Sequence, residues 1–129
     1  QKVGVLTWIG TSTQEMLSGL SPTALILSLL VLFFILHYLF ASVTAHVTAL
    51  IPIFMAIAIN LLTPEQVIPF TIILAGSLGV MGIITPYATG PSPIWYGAGY
   101  ISQGRWWALG AIFGALYLGV IILGALIFI

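Results

Sequence analysis

Four formal charges, Lys2, Glu15, Glu65 and Arg105, are all that a chain of 129 residues carries. Soluble domains draw roughly 25% of their residues from the charged set; here the figure is 3%, against 61% hydrophobic. A water-facing surface cannot be built from so little, and a chain this apolar does not stay disordered. The class that remains is an integral membrane protein whose outer surface meets lipid. A net charge of zero leaves no basic patch for nucleic acid. With no cysteine, disulfides, thiolate metal sites and cysteine nucleophiles are excluded. The chain opens on Gln1 rather than Met and lacks a signal-peptide layout. The expectation is a piece of a longer polypeptide.

The uncharged runs set the organisation. A membrane-crossing helix needs about 20 apolar residues, and Ala108 to Ile129 supplies them without proline or charge. Gly110 and Gly114 give that helix a face of small residues for close packing. Three other apolar stretches are shorter: Ala24 to Ala41, Val47 to Leu62 with Pro52 and Asn60, and Val67 to Ile84 with Pro69, Gly76, Gly79 and Gly82. Their lengths suit a re-entrant hairpin and a broken helix. Ser21-Pro22, Thr63-Pro64 and Ser92-Pro93 each place a capping hydroxyl before a proline, a pairing that starts helices. Ser12 with Glu15 and Thr63 with Gln66 fit capping boxes, the first opening a short interfacial helix that ends near Gly19. Trp95, Tyr96, Tyr100, Trp106 and Trp107 cluster about Arg105 as an interfacial belt, with a mild preference for the cytoplasmic side.

These signals divide the chain into four parts: 1–20, the end of a preceding helix and an interfacial segment; 21–62, a re-entrant hairpin with its tip at 42–46; 63–101, a discontinuous transmembrane helix broken at 85–93; and 102–129, a final transmembrane helix. The fold class is an all-α integral membrane protein.

Chemistry can sit at the two interruptions. Non-helical backbone at membrane depth is tolerated only where it is buried in protein or lines a wet cavity. At the tip, Ser42 and Thr44 can cap the following helix or bind a ligand. At the break, three prolines and a glycine between residues 85 and 93 stop any helix. Ser92 and Pro93 would then start a half-helix facing that break. Paired interrupted segments point to a transporter site, and helix N-termini carry partial positive charge and free N–H donors that suit a carboxylate. An external loop with an amphipathic turn is the alternative for 85–93. His46 is the ionisable group nearest the tip; it either faces a carboxylate or a lost cation site as an imidazolium, or stays neutral and donates one hydrogen bond. His37 reads as structural. Two histidines with no nearby carboxylate or thiol do not make a metal site, and no enzyme constellation is present.

The run FASVTAHVTALIPIF, then ITPYATGPSPIWYGAGYI and a glycine-rich last helix, resembles the C-terminal part of the divalent anion:sodium symporter family. It is most similar to the branch of citrate/succinate and tartrate/succinate antiporters and the plastid 2-oxoglutarate/malate translocator. The resemblance implies the second of two inverted repeats, a substrate held between a hairpin tip and a broken helix, and an elevator-type movement in a homodimer of the full-length protein. Ser42 and Thr44 match tip hydroxyls that touch substrate carboxylate, and Thr89 matches a loop threonine near substrate and ion. Ala88, Gly90 and Pro91 match the loop backbone that, with Thr44 and Thr89, would hold Na+ in sodium-coupled members. Ser92 and His46 complete the expected substrate set. Val43 and the Gly90-Pro91-Ser92 run each lack a side-chain amide that sodium-coupled members carry, which favours exchange.

The expected function is therefore exchange of di- or tricarboxylates such as citrate, tartrate, 2-oxoglutarate, malate or succinate, with no catalytic residue and no cofactor. The alternatives are a sodium-coupled dicarboxylate symporter, in which Na+ is bound, a non-transporting small membrane subunit, and a channel, for which no ring of charges is present. The expected partners are the carboxylate substrate, the lipid bilayer and the missing N-terminal part of the same transporter. The expected location is a bacterial inner membrane. Alone, the chain supplies half a site and is expected not to transport.

Overall fold

The structure is a computed structural model that describes Ser12, Glu15, Met16 and residues 19–129. The interfacial helix expected from Ser12 lies largely outside the described residues. Residues 19–129 form five α-helices: α1 Pro22–Leu36, α2 Val43–Leu61, α3 Pro64–Ser77, α4 Ser92–Gly97 and α5 Gln103–Phe128. A 3-10 turn, His37–Leu39, extends α1. Helix α1 with its turn, α2 and α5 are each long and apolar enough to cross a membrane. The protein is an integral membrane protein built from helices.

Local chemistry explains where the helices begin. Ser21 Oγ accepts the Ala24 N–H at 3.3 Å and Pro22 occupies the first turn of α1. Thr63 donates its N–H to Gln66 Oε1 at 3.2 Å while Gln66 donates its own to the Thr63 carbonyl at 2.9 Å, fixing the start of α3. The third expected cap is different. Ser92 lies inside α4, Pro91 holds the cap position, and the Ser92 hydroxyl pairs with Thr89 instead. A proline at the cap brings no side-chain acceptor, so α4 starts without one and runs only six residues.

Helix α1 is central, packing against α2, α3 and α5. Leu25, Ile26, Leu29, Leu30, Phe33 and Phe34 recur at helical spacing and are buried, meeting Phe54, Ile57 and Ala58 of α2 and Phe70 and Leu74 of α3. By contrast α5 buries only Gly110, Gly114, Ile121 and Ala125. Ile112, Leu116, Val120, Leu123 and Ile127 face outward, as lipid allows and water does not.

Helix α3 ends at Ser77, earlier than the apolar pattern through Ile84 suggests. Residues 78–91 are turns and bends, so the irregular stretch is longer than the expected break. Gly79 and Gly82 lower the cost of leaving the helix, and contacts from α1 and α5 hold the irregular residues in place. A Cβ on Gly110 would stand 2.5 Å from the Ile84 carbonyl oxygen, and one on Gly114 would stand 2.6 Å from Ile84 Cγ1. The two glycines therefore let α5 lie directly on the irregular stretch.

Candidate functional site

The turn after α1 closes with its own groups. Phe40 donates its N–H to the His37 carbonyl at 2.9 Å, and Ser42 Oγ accepts the Ala45 N–H at 3.1 Å. Ser42 thus caps α2. Thr44 is exposed in the first turn of that helix, where its carbonyl accepts the Thr48 hydroxyl at 2.8 Å. His46 lies one turn in and is fully buried. Its ring meets the rings of Phe33, His37 and Phe40 at centroid distances of 4.3, 5.1 and 5.3 Å. Neither His46 ring nitrogen has a hydrogen-bond partner, so in this arrangement the imidazole serves as an aromatic wedge beneath the tip.

The irregular stretch is held from outside. His37, fully buried, places Nε2 at 2.9 Å from the Ala88 carbonyl oxygen. A carbonyl can only accept, so the ring proton sits on Nε2. Tyr38 donates its hydroxyl to the Met81 carbonyl. Two consecutive side chains on the turn after α1 therefore satisfy polar backbone that the stretch leaves unpaired. This matters because a buried backbone group without a partner costs about 1–3 kcal/mol.

The expected site residues sit around this junction. Ala88 is buried and its carbonyl is committed to His37. Thr89 is half-buried and its Oγ1 lies 2.6 Å from Ser92 Oγ, so the two hydroxyls act as a pair. Gly90 and Pro91 are exposed between them. His46 and Ala88 share His37 as a common neighbour, which brings the hairpin end and the irregular stretch together. Sequence reasoning read His37 as structural without finding its partner, and gave Tyr38 no role. Two polar rings in succession inside an apolar arm gain from partners, but the sequence does not say which groups supply them.

A cavity of about 550 Å³ lies elsewhere, between α3 and α5. Pro69, Ile72, Ile73, Val80 and Phe128 give it a largely apolar wall, with hydroxyls only from Tyr117 and from Ser77, whose own is donated to the Leu74 carbonyl. None of the expected site residues borders it. Among the described residues no cluster of three metal-ligating side chains occurs.

Comparison with known proteins adds three findings. The sequence pattern described as the sodium:sulfate symporter transmembrane region matches residues 1–128. The L-tartrate/succinate antiporters of Escherichia coli and Shigella sonnei are each 44% identical to the chain over 125 residues, 96% of its length. That of Shigella flexneri gives the same identity and coverage. The chain spans 25% of the length of each of these relatives.

Proposed function

The chain belongs to the sodium:sulfate symporter transmembrane-region family, and from that premise we propose that it is the C-terminal part of a secondary transporter that exchanges di- or tricarboxylates across a bacterial inner membrane. The observation that carries this reading is the 44% identity to L-tartrate/succinate antiporters over nearly the whole chain. Tartrate and succinate are accordingly the first substrates to test. The hairpin is the re-entrant arm of the second inverted repeat, residues 64–101 are the broken transmembrane helix, and the transport domain moves as a rigid body within a homodimer.

The geometry supports a division of labour. Thr44 at the tip and the Thr89–Ser92 hydroxyl pair are accessible donors for carboxylate oxygens, while Ser42 keeps α2 capped so that its N-terminus stays in place. No lysine or arginine lies in either interruption, so the rest of the polypeptide supplies part of the charge balance. His46 supports the tip from below. Exchange rather than sodium-coupled uptake is favoured because the Ala88 carbonyl, an expected cation ligand, already accepts from His37, and because Val43 offers no side-chain amide. The test is counterflow in liposomes holding the full-length protein. Labelled succinate should enter against internal tartrate or succinate at equal rates with and without sodium. Uptake that needs a sodium gradient and no internal anion would replace exchange by symport.

A further inference from the structure

His37 stands on the hairpin, yet the one hydrogen bond of its side chain is to the other interruption, 51 residues along the chain. Its Nε2–H reaches the Ala88 carbonyl at 2.9 Å. Ala88 directly precedes Thr89, whose hydroxyl pairs with Ser92. The same corner is closed from a third side by Gly82. A Cβ there would collide with the Thr89 methyl and lie 3.3 Å from His37 Nε2. The imidazole, the Ala88 carbonyl, the Thr89 side chain and the bare Cα of Gly82 thus fill one small volume with no spare room. A group added at Gly82 would push directly on Thr89.

We propose that His37 is a positioning residue for the anion site: by holding the Ala88 carbonyl it fixes where the Thr89–Ser92 hydroxyl pair stands relative to the hairpin tip. The role is one of geometry and not of charge. The neutral imidazole donates one hydrogen bond, touches no substrate, and transmits the hairpin's position to the loop that does. The inference rests on the reading of Thr89 and Ser92 as substrate ligands for its transport consequence, but the loop-holding role itself stands on the contacts.

The two parts separate experimentally. The chain has no cysteine, and Thr85 is buried with an unpartnered hydroxyl. Thr85→Cys, in a full-length background with any other cysteine removed, is then a near-isosteric reporter of whether the loop stays closed. Its alkylation by a small maleimide should be about tenfold faster with His37→Phe, which keeps the ring and loses the donor, and near the original rate with His37→Gln, whose amide can reach the same carbonyl. In liposomes His37→Phe, compared per folded transporter, should raise the succinate KM about tenfold while Vmax changes less than about twofold, with recovery in His37→Gln. Gly82→Ala should raise KM in the same direction from the opposite side of the corner. Equal alkylation rates for His37→Phe and His37 overturn the loop-holding role. Faster alkylation with unchanged KM overturns the positioning of the substrate site. A full-length protein with intact His37 that exchanges no carboxylate refutes the proposed function, and the alkylation rates still decide what His37 does.

Discussion

The two interruptions of this chain are held in opposite ways. The turn between α1 and α2 spans a few residues and closes on itself: Phe40 bonds back to His37, Ser42 caps α2, and His46 is wedged among Phe33, Phe40 and His37. The stretch from 78 to 91 is longer, and past Met81 the Thr85–Ala88 and Thr89–Ser92 bonds are its local ties while its long-range fixed points come from elsewhere. His37 takes the Ala88 carbonyl, Tyr38 takes the Met81 carbonyl, and α5 lies on Ile84 through Gly110 and Gly114. One element is preformed by local rules. The other is a surface moulded by three partners. A loop of the second kind can change shape when its partners shift, which suits the proposed site.

This contrast predicts that distant substitutions hurt the long stretch more than local ones hurt the short turn. The largest effect should come from Gly110→Val. Its Cβ would meet backbone atoms of Ile84 at 2.5 and 2.7 Å, which cannot rotate away. A loss of about 3 kcal/mol is expected, read as a lower midpoint of thermal unfolding of the detergent-solubilised full-length protein. Gly114→Ala should be milder, because the Ile84 atoms it meets belong to a side chain that can change rotamer. If Gly110→Val unfolds like the unmodified protein, α5 does not brace the stretch and the contrast fails.

Tyr38→Phe comes next. It removes the donor to the Met81 carbonyl. A cost of about 1–3 kcal/mol is expected, with faster amide hydrogen exchange confined to residues 81–88. Exchange that speeds up equally across α1 and α2 would mean that Tyr38 packs the hairpin and does not tether the stretch. Ser42→Ala should have the smallest effect, about 1 kcal/mol or less, because the cap is partly exposed and the rest of the turn survives its loss. A collapse of the hairpin in Ser42→Ala would show the turn to be no more self-sufficient than the stretch.

The same contrast explains how much was legible in the residues alone. Helix starts at Pro22 and Pro64, the last helix, and the small-residue face at Gly110 and Gly114 follow from local pattern, because capping and packing leave marks at fixed spacing. The end of α3 does not. Residues 78–84 carry the same apolar composition as the helix before them, and they leave it because Tyr38, Gly110 and Gly114 engage them from far along the chain. The cap expected at Ser92 failed for a related reason: Thr89 competes for its hydroxyl. At the proposed site, hydroxyls at 42, 44, 89 and 92 are visible as residue types. His37 is not, since its role depends on a carbonyl that sequence does not place beside it.

The joining of hairpin and interrupted stretch through His37 can be measured without reference to transport. In the full-length protein in lipid bilayers, with ¹⁵N in the His37 ring and ¹³C in the Ala88 carbonyl, solid-state NMR reads their dipolar coupling. The 2.9 Å separation of Nε2 from the carbonyl oxygen requires a nitrogen-to-carbon distance within about 4 Å, hence strong dephasing at Nε2 and weaker dephasing at Nδ1. Dephasing absent at both nitrogens would mean that the two interruptions do not meet at this residue, and the site built on their meeting would have to be abandoned.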